Sequence, residues 1–204
     1  MQDFLTLVDD KSRWTWTFLI KLKSDVVVVL KHFLIMIKNQ FGKCVKVFRY
    51  DNGGEFMNAT CYDLFMSHGI VHQRSCPHSP QKNGVVERKH RHLLKTTRAI
   101  KFQGHLPNRF WGVCIEAATY IINKIPLSAL KDRTSFEIIH NRQPLLSHLR
   151  VIGCLGFATN MNKGDKFEPR VRRVVLLGYA TSQKGYKMLD IESKTLSVSR
   201  MLFL

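Results

Sequence analysis

Apolar positions recur with two different periods along these 204 residues. Residues 4–8 form a short apolar run closed by the turn cluster Asp9-Asp10-Lys11-Ser12. Trp14, Trp16 and Phe18 then alternate with Thr15, Thr17 and Leu19, which predicts an antiparallel hairpin. Val26, Leu30, Phe33, Leu34, Ile37 and Phe41 follow at helical spacing, with Ser24 as the expected N-cap and Gly42 as the stop. Valines 26–29 are poor helix formers one by one, but the wider period outweighs their local preference. Residues 45–48 read as a buried strand ending at Asp51-Asn52-Gly53-Gly54. A short helix over 62–66 and a strand over 71–74 complete the order ββαβαβ, a mixed α/β sheet with flanking helices.

Residues 76–84, Cys-Pro-His-Ser-Pro-Gln-Lys-Asn-Gly, make a loop rich in helix and strand breakers. Helices are expected over about 85–100 and 107–123, the second with Phe110, Trp111, Cys114, Ala117, Ala118, Ile121 and Ile122 on one face. From His148 the pattern changes to short strands at 150–158, 171–179, 186–191 and 195–202. The division that follows is a domain over 1–125, a linker over 126–147 with one short helical turn near Phe136, and a small all-β unit over 148–204.

Composition narrows the function. The hydrophobic share of 45% supplies a real core, and no apolar run approaches the ~20 residues that span a bilayer. The start lacks the basic-then-apolar layout of a signal peptide, so no membrane association is expected, and an intracellular site, nucleus or cytoplasm, is. Five cysteines at irregular spacing, with no Cys-x-x-Cys pair, read as reduced thiols. Thirty-two Lys and Arg face 15 Asp and Glu, a net charge of +17, of which +9 falls in residues 76–150. Such an excess points to a polyanionic partner, nucleic acid first.

Two acids stand in settings that suit chemistry. Asp51 sits just past a predicted strand and Glu87 in the first turn of a predicted helix, with thirty-five residues between them. Either acid alone reads as a turn residue or a dipole partner. Together, a strand-end carboxylate and a helix carboxylate can converge on Mg²⁺ or Mn²⁺, hard cations that clamp the oxygens of a phosphodiester. On the Glu87 helix, Arg88, Arg91, Lys95 and Arg98 fall in one stripe adjoining the acid, with Val86, Leu93, Thr97 and Ile100 opposite. That stripe is what holding a phosphate backbone beside the acids requires. The plainer alternative is a solvated face with Glu87 and Arg91 as a weak i,i+4 pair. At most one of Trp14 and Trp16 is expected in the core, and a base-stacking role for either is set aside. Arg170-Val171-Arg172-Arg173 reads either as a DNA contact or as a charged edge strand.

Residues 4–13, 51–56 and 80–89, and then Leu106-Pro107-Asn108-Arg109-Phe110-Trp111, residues 148–154, 175–179 and 184–186, closely resemble the integrase core of copia-type retrotransposons. The resemblance implies a ribonuclease-H-like catalytic domain followed by an SH3-like segment. It also implies Mg²⁺-dependent processing of element DNA ends and their transfer into target DNA by a multimer. By position Asp51 matches the second acid of the family's Asp-Asp-Glu triad and Glu87 the third. The first acid would fall about a dozen residues before Met1 and is expected to be absent, as is the upstream His-His-Cys-Cys zinc module. His68 and His72 are not expected to replace that module, and Asp9 and Asp10 are not expected to replace the acid. The strand that carries the first acid would lie between residues 4–8 and 45–48. Either those segments pair directly, or an edge is left exposed. The function expected is DNA binding with no activity alone. Two alternatives remain: a nucleic-acid-binding remnant or recruited basic protein without chemistry, and a ribonuclease-H-like nuclease on the same fold.

Overall fold

The computed structural model describes residues 3–50, 53–74, 84–160, 167, 170–180 and 183–200. The chain divides into two compact units, one of residues 1–10 and 16–90 and the other of residues 11–15 and 91–204.

The first unit has the predicted order: β1 (Asp3–Val8), β2 (Thr15–Ile20), α1 (Val26–Phe41), β3 (Val47–Tyr50), α2 (Ala59–Ser67) and β4 (Val71–Arg74). The apolar period of α1 prevails over its four valines, burying Val26, Leu30, Phe33, Leu34 and Ile37. Ser24 is not the N-cap. A 3-10 turn over Lys23–Asp25 precedes the helix, and the Asp25 carboxylate accepts from the backbone N–H of Leu22 at 3.0 Å and Lys21 at 3.3 Å, so an acid one residue later shapes the entry. Gly42 ends the helix at φ +61°, where its lack of a Cβ removes the steric cost. α2 begins before the expected 62–66 because the Asn58 side chain accepts from Cys61 N at 2.8 Å, an N-cap the periodicity does not reveal.

β1 pairs with β2, and β3 pairs in parallel with β4 from Val47 opposite Val71 to Tyr50 opposite Arg74. Among the described residues β1 and β3 do not pair, which overturns the first alternative for the sheet. The two strand pairs share side-chain packing in place of a backbone ladder: Leu5 and Leu7 of β1 and Phe48 and Tyr50 of β3 enter one core with α1 and α2. β3 also starts later than residue 45 and is buried on one face only, Val47 and Arg49 being exposed. Phe48 is the hub of this core, with its ring centroid 5.0 Å from Phe65 and 5.8 Å from Phe56.

α3 (Gly84–Gln103) belongs to the first unit through His90 and to the second from Arg91. In the second unit a 3-10 turn over Asn108–Phe110 leads into α4 (Trp111–Ile122). The stretch expected as a linker holds the pair β5 (Pro126–Leu127) and β6 (Arg133–Thr134), then α5 (Ser135–His140). Thr134 and Glu137 form a capping box at the start of α5: Thr134 Oγ1 accepts from Glu137 N at 3.0 Å, and Glu137 Oε2 accepts from Thr134 N at 2.6 Å.

β7 (Leu155–Thr159), β8 (Val171–Tyr179), β9 (Tyr186–Asp190) and β10 (Leu196–Ser199) form an antiparallel sheet in the order β10-β9-β8-β7. β8 is therefore internal, and the edge-strand reading of residues 170–173 is corrected. Its alternation sends Val174 and Leu176 to a core with Ala158 and Met188, and Leu177 and Tyr179 to a second core with Cys114, Ala117 and Leu106. α4 lies against β8 at Gly178, where a Cβ would meet the Ala117 methyl at 3.3 Å. Lys187 of β9 and Glu116 of α4 form an ion pair.

The strand expected over 150–158 begins only at Leu155. Gly153 stands at φ +90°, with its N–H donating to Leu176 O at 2.7 Å, and the chain presses against α3's exit so closely that a Cβ on Gly153 would lie 2.4 Å from Gly104 Cα. A backbone turned this way cannot also be a strand.

Cys61 and Cys114, one in each unit, are wholly buried free thiols, Cys44 is an exposed one, and Cys76 lies outside the described residues. Among the described residues no helix is long and apolar enough to cross a membrane.

Candidate nucleic-acid interface and acid pair

Glu87 lies on the first turn of α3 and is exposed, where the partial positive charge of the helix start favours an acid. This end of the helix is fastened to β1. The His90 ring stacks on Phe4 with centroids 4.8 Å apart and planes 5° from parallel, and His90 Nδ1 lies 3.3 Å from Thr6 Oγ1. Burial lowers the His90 pKa below that of an ordinary imidazole, which favours the neutral ring. Periodicity had no way to single out His90; its only sign in the sequence is its place three residues after Glu87, on the neighbouring face.

Arg88, Arg91, Lys95 and Arg98 are all exposed along α3, while Leu93 and Thr97 are buried on the other side. Thr97 Oγ1 donates to Leu93 O at 2.8 Å, which spares the buried hydroxyl an unmet hydrogen bond. From Arg88 to Arg98 the stripe covers about 15 Å of helix axis. Among the described residues no acid forms an ion pair with any of the four, and the i,i+4 pair of Glu87 with Arg91 is not made. The Arg88 guanidinium folds back over Gly84, close enough that a Cβ there would sit 3.1 Å from Nη1.

Asp51, the other predicted acid, lies outside the described residues, as does the loop over 75–83 with Ser79 and Lys82. The residues that flank Asp51 are firmly held. Tyr50 is buried against Phe56 at 5.3 Å between ring centroids, and its hydroxyl lies 3.4 Å from His72 Nδ1. On the other side, Glu55 turns its carboxylate back over Gly53, where a Cβ would be 3.0 Å from it. Glu55 was not picked out from the sequence, where its one signal is its place four residues past Asp51. A cavity of about 150 Å³ opens beside this strand end, lined by Tyr50, Phe56, Asn58, Tyr62, His72 and Arg74.

Among the described residues no three His, Cys, Asp or Glu side chains gather as a metal site. His68 Nδ1 is within 2.9 Å of Leu64 O, and the His72 ring packs edge-on against Tyr62. In the second unit Arg172 engages Asp190 at 3.4 Å and Ser197 Oγ at 3.0 Å, and Arg173 engages Glu192 at 3.4 Å. Hydrogen bonds from Ser193 N and Glu192 N, with Arg172 beside it, hold the Asp190 carboxyl below the usual carboxylate range. Arg172, half-buried, braces β8 to β9, while the Arg173–Glu192 pair lies at the surface.

Comparison with known proteins agrees with this geometry. Residues 3–80 match the family described as Integrase core domain, and residues 154–202 the Retroviral polymerase SH3-like domain. The first match includes Asp51 and ends before Glu87. Over 198 residues, 97% of this chain, the sequence is 32% identical to the Retrovirus-related Pol polyprotein from transposon TNT 1-94 of Nicotiana tabacum. Over the same share it is 32% identical to that from transposon RE1 of Arabidopsis thaliana. The chain spans only 15% and 13% of those two polyproteins. Among solved structures, the catalytic core domain of BIV integrase aligns with a TM-score of 0.51 at 24% identity, covering 68% of this chain and 85% of that one. The HTLV-2 integrase catalytic core domain, solved in complex with magnesium in a trimeric form, aligns with a TM-score of 0.50 at 19% identity, covering 68% and 93%. The fold is thus the ribonuclease-H-like fold of integrase catalytic cores, with an antiparallel sheet after it. Two domain families matched in one chain, with a single alignment to transposon polyproteins running across both, place this protein in the integrase region of copia-type retrotransposon Pol polyproteins.

Proposed function

We propose that the chain is a DNA-binding integrase core in which Asp51 and Glu87 are the two carboxylates of the active centre and the α3 stripe carries the DNA backbone. The observation that supports this reading best is the set of four exposed cations, without an acidic partner among the described residues, running from the position beside Glu87 along one face of α3. Cations left unneutralised by the protein gain most from phosphates, because each one releases counterions condensed on the nucleic acid. With the backbone on the stripe, a phosphodiester near the first turn of α3 lies beside Glu87.

Both carboxylates offer hard oxygen donors, the chemistry that suits Mg²⁺ or Mn²⁺. Such an ion supplies charge neutralisation and activation of an attacking oxygen. Glu87 is exposed and has no ion-pair partner among the described residues; the Tyr50 and Glu55 contacts hold the chain on either side of Asp51. In this reading the catalytic region covers residues 1–125, a connecting segment 126–147 and the β unit 148–204. The partners are element ends and target DNA, handled by a homo-oligomer inside the cell, in nucleus or cytoplasm.

The test is a binding and nicking assay on duplex DNA with Mg²⁺ or Mn²⁺. Arg91→Ala with Lys95→Ala is expected to weaken binding and to reduce the slope of log affinity against log salt by about 1.8, two phosphates at about 0.9 each. An unchanged slope refutes the stripe. Metal-dependent nicking that vanishes in Glu87→Gln supports the role of the acid, and nicking unchanged in Glu87→Gln refutes it. A protein recruited only for its basic surface would bind as described with Glu87→Gln having no effect on metal-dependent behaviour.

A further inference from the structure

Residues 123–142 fall between the two family matches, and the structure gathers there a cluster that the DNA-binding stripe does not use. The segment over residues 11–15 belongs to the second unit and is pinned to the end of α4 by Asn123. Its Oδ1 accepts from Thr15 N at 2.9 Å, and its Nδ2 donates to Thr15 O at 2.8 Å. Both bonds are buried, so the segment is held as a paired strand would be. Trp14, the next residue, precedes β2 and is half-buried. It stands edge-on to His140 with centroids 5.5 Å apart, and 6.3 Å from Phe136, while Phe136 and His140 lie 4.4 Å from each other. Two cations flank the rings. Arg142, exposed, has its guanidinium 5.7 Å from the Phe136 centroid, and Lys124 Nζ, buried, lies 5.4 Å from it. Glu137, the acid on α5, has its carboxylate turned to the helix start, where it accepts from Thr134 N.

We propose that the Trp14–Phe136–His140 cluster, with exposed Arg142 beside it, is a contact for single-stranded nucleic acid, stacking an unpaired base and pairing an adjoining phosphate. The inference rests on the nucleic-acid reading above and names a second contact for it. Rings and cations together select this occupant. A base inside a duplex has both faces covered by its neighbours, so only an unpaired one can gain from an aromatic platform, and stacking is tolerant of sequence. The exposed Arg142 beside the rings is positive and the Glu137 carboxylate is engaged at the helix start, which fits a polyanion. Lys124 is buried, its ammonium 3.2 Å from the Tyr120 centroid and donating to Tyr120 O, so it adds positive potential near the rings and not a direct phosphate contact.

The experiment uses the whole chain with two fluorescein-labelled probes at equal salt, an oligothymidylate and a blunt duplex of the same length, read by anisotropy. Phe136→Leu and Trp14→Leu keep apolar bulk while removing the aromatic face. Each is expected to weaken oligothymidylate binding about fivefold or more and to leave duplex binding within about twofold. Arg142→Gln, at an exposed position that does not threaten folding, is expected to lower the single-strand salt slope by about 0.7. Equal losses on both probes, no loss on oligothymidylate, or an unchanged slope in Arg142→Gln each overturn the proposal. Displacement of oligothymidylate by polyglutamate at equal charge concentration would assign the cluster to an acidic protein segment and overturn it too. Failure of the α3 stripe reads separately, as unaltered duplex binding in Arg91→Ala with Lys95→Ala.

Discussion

Gly153→Ala is the substitution from which the second unit should suffer most. Two costs add at this position. At φ +90° an L side chain crowds its own backbone, at roughly 1–2 kcal/mol. The new methyl would also lie 2.4, 2.6 and 2.9 Å from Cα, O and C of Gly104, all backbone atoms of a chain that has just left α3. Backbone cannot rotate aside as the tip of a side chain can, so the segment must move as a whole, at the ~1–3 kcal/mol typical of overpacking. That movement strains the bonds from Gly153 N to Leu176 O and from Leu176 N to Cys154 O that attach the segment to β8. The expected loss is about 2–5 kcal/mol, or roughly 4–20 °C in melting temperature at about 2–4 °C per kcal/mol for a chain of this size. Gly42→Ala is the control, since it shares a positive φ of +61° but has nothing within 4 Å of the new methyl, and should lose only about 1 kcal/mol. Urea and thermal unfolding followed by circular dichroism measure both. A Gly153→Ala protein as stable as Gly42→Ala would show that the contact with Gly104 is not a constraint, and the reasoning would fail.

Two further outcomes follow from residues at the end of α4. Asn123→Ala removes both bonds to the Thr15 backbone and leaves that buried N–H and carbonyl unpaired, an expected loss of about 2–3 kcal/mol in thermal unfolding, with Asn123→Asp restoring only the bond that Oδ1 accepts. Burial lowers the Lys124 pKa from the ordinary lysine value to about 8, so between pH 8 and about 10.5 the folded chain binds fewer protons than the unfolded one. Stability from this group therefore rises with pH across that window, a trend that Lys124→Met should abolish, and ¹³C-methylated lysine resonances should include one with a midpoint near 8.

Much of the fold could be read from the chain because side-chain period carries it. The helix over 26–41 announces itself through Val26, Leu30, Phe33 and Ile37, and those positions are the buried ones. β4 and β8 fall at the expected residues, for the same reason. What period does not encode is local polar geometry. Asp25 in place of Ser24, Asn58 capping α2 and the Gly104–Gly153 contact all depend on which short side chain or bare backbone meets which neighbour in space. The candidate site divides along the same line. The spacing of Arg88, Arg91, Lys95 and Arg98 predicted one face, and that face is exposed; that His90 would anchor it to Phe4 is a tertiary fact with no periodic trace. Charge alone singles out Arg172 and Arg173 and gives no sign that Asp190 and Glu192, 18 and 19 residues on, stand 3.4 Å from them.

The buried thiols give each half of the molecule its own clock. Cys61 and Cys114 have no exposed surface, and burial raises both thiol pKa values, so neither sulfur meets an alkylating reagent in the native protein. Each becomes reactive only when the core around it opens. Alkylation timed by peptide mass spectrometry would report the opening rate at Cys61 for the first unit and at Cys114 for the second, with exposed Cys44 as the internal standard for reagent activity. Two equal rates would mean that the units open together, and two different rates would rank them by kinetic stability.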